Sequence, residues 1–251
     1  MPRPLPRTLS VIDTQRISPS MHQITFGGPE LAGFPAGQEG GYVKLMIKQA
    51  DPEAKPLVRT YTIRSQRADA LDVQFALHGH NDAGPATGWA MDAKIGDTLL
   101  VGGPGAAKPL PEGFDFYLIA GDMSALPAIA ANLAALPADA KGFAAIEIQD
   151  EGDALPMDKP EGVEVQWLLN PEPGTQPQLL SDALRAAPRP EGSLAAWAAC
   201  EFSSMKELRT YLREELALTP QELYISSYWK RGLDESEHKM AKREDSQGQP
   251  V

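Results

Sequence analysis

The first hundred residues alternate between apolar and polar positions in short runs, which Gly, Pro, Asp and Asn interrupt. Alternation with a period of two predicts strands, and interruptions of this composition predict turns. Six strands with little helix between them predict a small antiparallel β-barrel. The predicted strands cover residues 8–18, 21–27, 42–48, 57–64, 71–78 and 97–101.

The segment from Gly84 to Met91 breaks this strand pattern. Its sequence, Gly-Pro-Ala-Thr-Gly-Trp-Ala-Met, predicts a short helix with small residues at its start. The first turn of a helix leaves free backbone N–H groups and a partial positive charge, which suits a bound phosphate. A plain strand-to-helix turn with Trp89 in the core explains the same residues, so both interpretations stand.

After the proline-bearing linker at residues 108–113, continuous apolar runs alternate with helical patterns. This alternation predicts a parallel sheet covered by helices. Ser204 and Glu207 predict a capping box for a helix that ends near Leu216, and the basic tail 230–246 predicts a C-terminal helix. The predicted strands are 114–120, 143–148, 163–169, 194–200 and 222–229, with further helices at 125–136 and 178–187. We therefore predict two domains: a β-barrel at residues 1–110 and an α/β, nucleotide-binding-like domain at residues 111–251.

The run Arg59-Thr60-Tyr61-Thr62-Ile63-Arg64 carries the most specific chemistry of the predicted barrel. Alternation places Tyr61 and Ile63 on one face of the strand and the two threonines on the other. An aromatic ring, hydroxyls and guanidinium groups together can hold a planar cofactor that bears phosphate. An edge strand with a solvated polar face is the alternative that these six residues leave open.

Composition and charge exclude several classes of protein. The formal net charge of −11 lacks the basic footprint of a nucleic-acid-binding protein and disfavours an anionic membrane surface. The single cysteine, Cys200, excludes an internal disulfide framework and cysteine-ligated zinc or iron–sulfur sites. The chain has no signal-peptide pattern and no run near 18 apolar residues, so we expect a soluble, cytoplasmic protein. We also expect no bound metal.

Five blocks occur in order along nearly the whole chain. They are Arg59-Thr60-Tyr61-Thr62-Ile63-Arg64; His78 with Gly84-Pro85-Ala86 and Trp89-Ala90; Gly96-Asp97 with Gly103-Pro104-Gly105; Ala120-Gly121-Asp122 with Leu126-Pro127-Ala128-Ile129; and Tyr228-Trp229-Lys230-Arg231-Gly232. Together they resemble the siderophore-interacting protein family, a branch of the ferredoxin–NADP reductase superfamily. The resemblance implies an FAD-dependent ferric-siderophore reductase of iron acquisition, in which the flavin carries the chemistry and no protein acid or base is required. Iron is then released because hard oxygen ligands hold Fe(II) less tightly.

The resemblance also implies which residues bind FAD. Arg59, Tyr61 and Thr62 would serve the isoalloxazine end and the nearby phosphate, and backbone N–H groups after Gly84 would cradle the pyrophosphate. Trp229 would close the flavin site. The implied cofactor-binding residues are Arg59, Thr60, Tyr61, Thr62, His78, Gly84, Pro85, Ala86, Thr87, Trp89 and Trp229.

A bulky and often anionic ferric chelate implies a local basic patch, even on an acidic protein. The candidate substrate-binding residues are Lys48 from the barrel and Lys239, Lys242 and Arg243 from the tail. A solubilising surface role explains each of these cations as well.

The second domain departs from the family pattern where a nicotinamide donor is expected. Met123, Cys200 and Asn170 stand where many relatives have Glu, Gly and Arg, and the lost arginine would be a natural partner for a 2′-phosphate. We therefore expect slow reduction by NADH and keep either NAD(P)H or reduced ferredoxin as the electron donor. The candidate donor-site residues are Asp122, Ser124 and Glu201.

Two other functions fit the sequence. A general NAD(P)H:flavin-type oxidoreductase would share the FAD site but lack the basic patch, whereas a non-catalytic ferric-chelate binding protein would need no active flavin. We expect a monomer whose partners are a ferric siderophore and, as one possible donor, a ferredoxin, with no nucleic acid and no membrane insertion.

Overall fold

The computed structural model describes residues 5–49, 51, 53–77, 84–188 and 191–247. The chain forms two compact units. The first comprises Met1–Pro109, Pro127–Ala135 and Leu155–Asp158, and the second comprises Leu110–Leu126, Leu136–Ala154 and Lys159–Val251. Among the helices that the structure describes, none combines the length and the apolar character needed to cross a membrane.

The first unit contains a closed barrel of antiparallel strands in the order β1-β2-β5-β4-β3-β6. Its elements are β1 (Arg7–Ser18), β2 (Met21–Gly27), β3 (Tyr42–Ile47), β4 (Leu57–Arg67), β5 (Ala70–Ala76), α1 (Pro85–Asp92) and β6 (Thr98–Gly105). Alternate side chains point inward and form the core, including Leu45, Ile63 and Phe75, which are fully buried. The predicted barrel, its strands and the short helix before β6 are confirmed.

Helix α2 (Leu126–Ala135) lies largely in the first unit, although it follows the first strand of the second unit along the chain. The side-chain amide of Asn132 donates to the carbonyl of Lys108 at 3.4 Å. A Cβ added at Gly40 would lie only 3.2 Å from the Cβ of Ala131, so the helix packs closely on the backbone there.

The second unit contains a five-stranded parallel sheet in the order β11-β10-β7-β8-β9. Its elements are β7 (Phe116–Gly121), β8 (Gly142–Ile148), β9 (Val163–Leu169), α3 (Leu179–Ala186), β10 (Leu194–Glu201), α4 (Phe202–Arg209), β11 (Leu223–Trp229) and α5 (Glu235–Gln247). The chain fills the sheet from β7 to β9 on one side and then returns to β10 and β11 on the other. The predicted parallel sheet and C-terminal helix are confirmed. The strand order reverses between the neighbouring strands β7 and β10, and this position is the topological switch point. Sheets of this kind bind their ligands there.

The predicted capping box of Ser204 and Glu207 is wrong. Helix α4 begins at Phe202, and the carboxylate of Glu201 caps it by accepting hydrogen bonds from the backbone N–H groups of Ser203 and Ser204. Ser204 therefore lies inside the first turn, because the last residue of β10 already satisfies the orphan donors. The backbone continues beyond α4 as a π-helical segment, Thr210–Glu215.

Candidate functional site

Strand β4 changes its pairing partner near the predicted flavin-binding run. It pairs with β3 from Leu57 to Thr62 and with β5 from Ile63 to Arg67. Arg64 is the extra residue of a bulge, since Ile63 pairs with Val73 whereas Ser65 pairs with Asp72. In the described part of the chain, the hydrogen-bonded pairing of β4 with β5 therefore starts at Ile63, near the end of the flavin-binding run. Bulges of this kind bend a strand and re-aim its side chains, which suits a strand beside a ligand.

Two half-buried rings rest on the barrel core beside this run. The ring of Tyr61 lies 4.3 Å from that of Phe75, measured between centroids, and Trp89 lies 6.4 Å from the same phenylalanine. Trp89 also stacks parallel to Phe26 at 6.0 Å. Trp89 therefore packs on the core, as the alternative interpretation expected, while both rings keep part of their surface exposed.

Among the described residues, no side chain caps the N-terminus of α1. Gly84 occupies the N-cap position without a capping hydrogen bond, and Pro85 has no N–H to satisfy. The next donor with a partner is the N–H of Gly88, which bonds to the carbonyl of Gly84 at 2.9 Å. Within the described residues, the N–H groups of Ala86 and Thr87 have no such partner. A Cβ added at Gly84 or Gly88 would lie more than 4 Å from every heavy atom of the described residues, so those residues leave space at this turn.

These features fit the phosphate and ring of FAD. The two donors and the helix dipole suit a pyrophosphate, and half-buried aromatic rings suit the flavin face. Arg59 is half-buried on β4, Thr60 is exposed and Thr62 is half-buried. His78 lies outside the described residues.

Lys44 is a cation of this region that the sequence analysis missed. Its ammonium donates to the hydroxyl of Thr60 at 3.3 Å and lies 5.6 Å from the centroid of the Tyr42 ring. The available signal was the strand period, because even numbers of residues separate Tyr42, Lys44 and Lys48, which predicts that they share one face.

In the second unit, the loop after β7 places Asp122 at the switch point. Its Oδ1 accepts hydrogen bonds from the backbone N–H and the hydroxyl of Ser124. Its Oδ2 accepts from the backbone N–H of Glu201 and from the indole Nε1 of Trp229, each at 2.8 Å. Both oxygens are thus occupied by donors of the same unit. Asp122, Ser124, Glu201 and Trp229, which the sequence assigned to a donor or flavin site, here bind one another.

Glu147, at the end of β8, is a buried carboxyl that the sequence analysis missed. Burial, and secondarily the charges of Asp122 and Glu201, raise its pKa to about 7, against the opposing hydrogen bond from the side-chain amide of Asn170 at 2.8 Å. Complete burial, and secondarily the carboxyls of Asp122, Glu147 and Glu201, raise the pKa of Cys200. The signal in the sequence was a single charged residue inside an otherwise apolar run, residues 143–148.

The predicted substrate-binding cations differ in their surroundings. Lys48 and Arg243 are exposed. Lys239 forms an ion pair with Glu235 at 2.6 Å along α5. Lys242 is half-buried, donates to the Ser226 hydroxyl at 3.0 Å and to the Ser227 carbonyl at 2.9 Å, and burial lowers its pKa. Lys242 therefore ties α5 to β11 as well as carrying charge.

The fold and the open helix terminus define a flavoprotein with a barrel and a nucleotide-binding-like sheet. Two family patterns match the chain: "Siderophore-interacting FAD-binding domain" at residues 10–55 and 48–108, and "Siderophore-interacting protein" at residues 114–232. The chain belongs to the siderophore-interacting protein family, as its sequence blocks predicted.

Individual relatives agree with this assignment. The ferric vibriobactin reductase ViuB of Vibrio cholerae is 36% identical over 253 residues, which cover 93% of this chain and 92% of ViuB. The NADPH-dependent ferric-chelate reductase of Escherichia coli is 27% identical over 243 residues, with 89% and 92% covered. The crystal structure of the siderophore-interacting protein SipS of Aeromonas hydrophila is 32% identical, with a TM-score of 0.86 over 98% of this chain and all of SipS.

Proposed function

We propose that this protein is an FAD-dependent ferric-siderophore reductase that releases iron as Fe(II). The observation that carries the proposal is the uncapped N-terminus of α1 beside the rings of Tyr61 and Trp89, in a domain that matches the family's FAD-binding domain. FAD supplies the redox chemistry by accepting two electrons from a donor and giving one to each of two ferric ions. The names of ViuB and of the Escherichia coli relative support this activity.

The residues of the chain bind and orient the reactants. The N–H groups of Ala86 and Thr87 would donate to the pyrophosphate, with Arg59 as its counter-charge. Tyr61 would hold the flavin ring, and Thr62 would donate to the polar edge of that ring. No side chain is needed as a general acid or base.

Cations of the barrel and, separately, cations of α5 are proposed contacts for the substrate. Lys48 and Arg243 are exposed, so they are available to an anionic chelate. Lys44, on β3, lies four residues before Lys48, which directly follows the strand, and adds a second positive charge to this part of the chain. Lys239 and Lys242 contribute charge from α5, where their ammonium groups also bond within the helix or to β11.

We also propose the electron donor, the cellular compartment and the oligomeric state. A nicotinamide dinucleotide, at the strand ends of the second unit, is the proposed donor, and reduced ferredoxin is the alternative. The protein is proposed to act as a cytoplasmic monomer.

The function is tested by anaerobic turnover of the FAD-loaded protein with ferric catecholate and hydroxamate chelates, with Fe(II) trapped by a chromogenic chelator. NADH, NADPH and reduced ferredoxin are supplied in separate reactions. A reductase gives Fe(II) at a rate that saturates with the ferric chelate. Reduction of free flavins or dyes without saturable reduction of the chelates would identify a general flavin reductase instead. Chelate binding by a protein that takes up no FAD would identify a binding protein.

A further inference from the structure

The loop Asn170–Gln176 forms a strap across the carboxyl ends of the strands in the second unit. It starts at β9, the outermost strand on one side of the sheet. Gly174 lies at the ends of β10 and β11, because a Cβ added there would be 3.1 Å from Cγ of Glu201 and 3.3 Å from Cη2 of Trp229. Strands β8 and β7 lie between these points, so the strap passes over both.

Asn170 fastens the strap at its start. It is fully buried, its backbone N–H donates to Ile148 at 2.8 Å, and its side-chain amide donates to Glu147. Its Oδ1 accepts from the backbone N–H of Glu172, the hydroxyl of Thr175 and the side-chain amide of Gln176, at 3.1 to 3.3 Å. One side chain thus holds both ends of the strap together.

Gly174 fastens the middle of the strap. Its backbone N–H donates to the carboxyl of Glu147, and its φ of 76° lies in the left-handed region that glycine adopts most readily. The surrounding atoms of Glu201, Trp229 and Arg231 leave no space for a bulky side chain at this position. The contact with β10 and β11 is therefore one of close packing.

The strap lies where a dinucleotide would be expected. Ligands of parallel α/β sheets bind outside the carboxyl ends of the strands, at the switch point. Here Asp122, Glu147 and Glu201 occupy those ends, and they are only 5%, 4% and 3% exposed. Carboxyl groups that faced an open ligand site would be accessible to water, so the site is closed in this structure.

We propose that the strap gates the electron-donor site: it must lift away from Trp229 before a nicotinamide dinucleotide binds and reduces the flavin. This inference rests on the proposed function, in which the donor reduces FAD. It gives the slow reaction expected with NADH a physical cause, since only molecules with a lifted strap react.

A disulfide offers a direct test, because it locks the strap in place. A Cβ at Gly174 would lie 3.5 Å from the Cβ of Arg231, within the range that disulfides span. The double variant Gly174→Cys with Arg231→Cys is compared in its oxidised form and in its form reduced with a phosphine and then desalted. Cys200 is fully buried, so we expect its thiol to take no part in disulfide formation or reduction. The single variant Arg231→Cys serves as the second control.

We expect the oxidised form to show at least a tenfold lower rate of flavin reduction by NADH or NADPH than the reduced form. Equal rates in the two forms would overturn the proposal. Failure of both nucleotides to reduce the flavin in the wild type and in every variant would overturn it too, because the strap would then gate no dinucleotide. In a separate arm, flavin reduced by dithionite and desalted is mixed with a ferric tris-catecholate. Failure of that arm in all forms would contradict the proposed function and leave the strap result standing.

Hydrogen exchange of the wild type keeps the proposal testable if the left-handed conformation at residue 174 prevents the variant from folding. Saturating dinucleotide should accelerate exchange at the N–H of Gly174, because the closed strap bonds it to the carboxyl of Glu147 on β8. Unchanged or slower exchange at Gly174 would overturn the gate.

Discussion

The indole Nε1 of Trp229 donates a hydrogen bond to Oδ2 of Asp122 at 2.8 Å. This contact joins the end of β11, the last strand, to the loop after β7, the first strand of the same sheet. Asp122 accepts three further hydrogen bonds in a nearly buried position. One carboxylate therefore organises the switch point of the second unit.

Replacing Asp122 with Asn should destabilise the protein more than replacing Trp229 with Phe. Asn offers one acceptor oxygen and turns its amide toward groups that also donate, so we expect the free energy of unfolding to fall by about 2 kcal/mol or more. Trp229→Phe removes one charge-assisted hydrogen bond, and we expect a loss of about 1.5 kcal/mol. Denaturant unfolding measures both. Asp139→Asn, an exposed change, is the control, and an equal effect of Asp122→Asn and Asp139→Asn would contradict the account.

Replacing Gly84 with Glu should weaken FAD binding without destabilising the barrel. The backbone at Gly84 suits any residue, and a Cβ there would lie more than 4 Å from every heavy atom of the described chain. A carboxylate at this position would repel the pyrophosphate, although it favours the helix dipole. We expect the Kd for FAD to rise about tenfold or more, a loss of about 1.4 kcal/mol. Titration of the apoprotein with FAD measures it.

Gly84→Gln is the matched control, because it has the same shape without the charge. It should change the Kd far less than Gly84→Glu. If both variants bind FAD as the wild type does, the pyrophosphate does not lie at this helix terminus.

Replacing Glu147 with Gln should remove a pH dependence of stability. The carboxyl keeps its proton to about pH 7 in the folded protein, against an ordinary pKa of 4.5, because of burial and the charges of Asp122 and Glu201. The unfolded chain loses this proton at lower pH, so the free energy of unfolding falls from about pH 4.5 to pH 7 and then levels off. The difference between the two pKa values corresponds to a change of roughly 3 kcal/mol in the free energy of unfolding.

The Gln variant keeps an acceptor for Asn170 and has no proton to lose. Its stability relative to the wild type should therefore rise between pH 4.5 and 7, as measured by urea unfolding at several pH values. Glu164→Gln, at an exposed position of β9, is the control and should show no such trend. A pH-independent difference for Glu147→Gln would mean that the carboxyl is ionised throughout.

The sequence predicted those features that depend on local pattern. Strand β5 and the barrel core followed from alternation, and the helix at Pro85–Asp92 followed from its small residues and its place between strands. The cap of α4 was mispredicted because the Ser-x-x-Glu pattern that begins in the first turn of the helix looked like its start. Glu201 caps instead, as its side chain reaches forward from the end of β10.

The strap and the carboxyl cluster could not be predicted in the same way. Residues 170–176 are rich in proline and polar side chains, which predicts a loop but not its path across the sheet. The contact of Gly174 with Trp229 joins residues 55 positions apart, and such contacts depend on the strand order. The sequence identified Asn170 only as a residue that stands where relatives have an arginine. Its buried hydrogen bond to Glu147 joins it to a different strand, and the local pattern does not predict that contact.

Replacing Lys48 with Ala should weaken the interaction with an anionic ferric chelate. The lysine is exposed directly after β3, the strand that carries Lys44, so its charge acts through solvent and is screened by salt. We expect the KM for a ferric tris-catecholate to rise several-fold at low ionic strength and to approach the wild-type value at about 1 M salt. Lys55→Ala removes another exposed lysine of the same unit and should have little effect. Equal KM changes in the two variants would place the substrate patch elsewhere.

The central claim is that FAD bound to this protein passes electrons to ferric siderophore iron. The most direct measurement is anaerobic stopped-flow mixing of the fully reduced, FAD-loaded protein with a ferric siderophore, with flavin absorbance and trapped Fe(II) followed together. The account predicts that the flavin absorbance returns at a rate that rises with chelate concentration, and that two Fe(II) form for each flavin oxidised. Flavin that stays reduced in the presence of excess ferric siderophore, without formation of Fe(II), would contradict it.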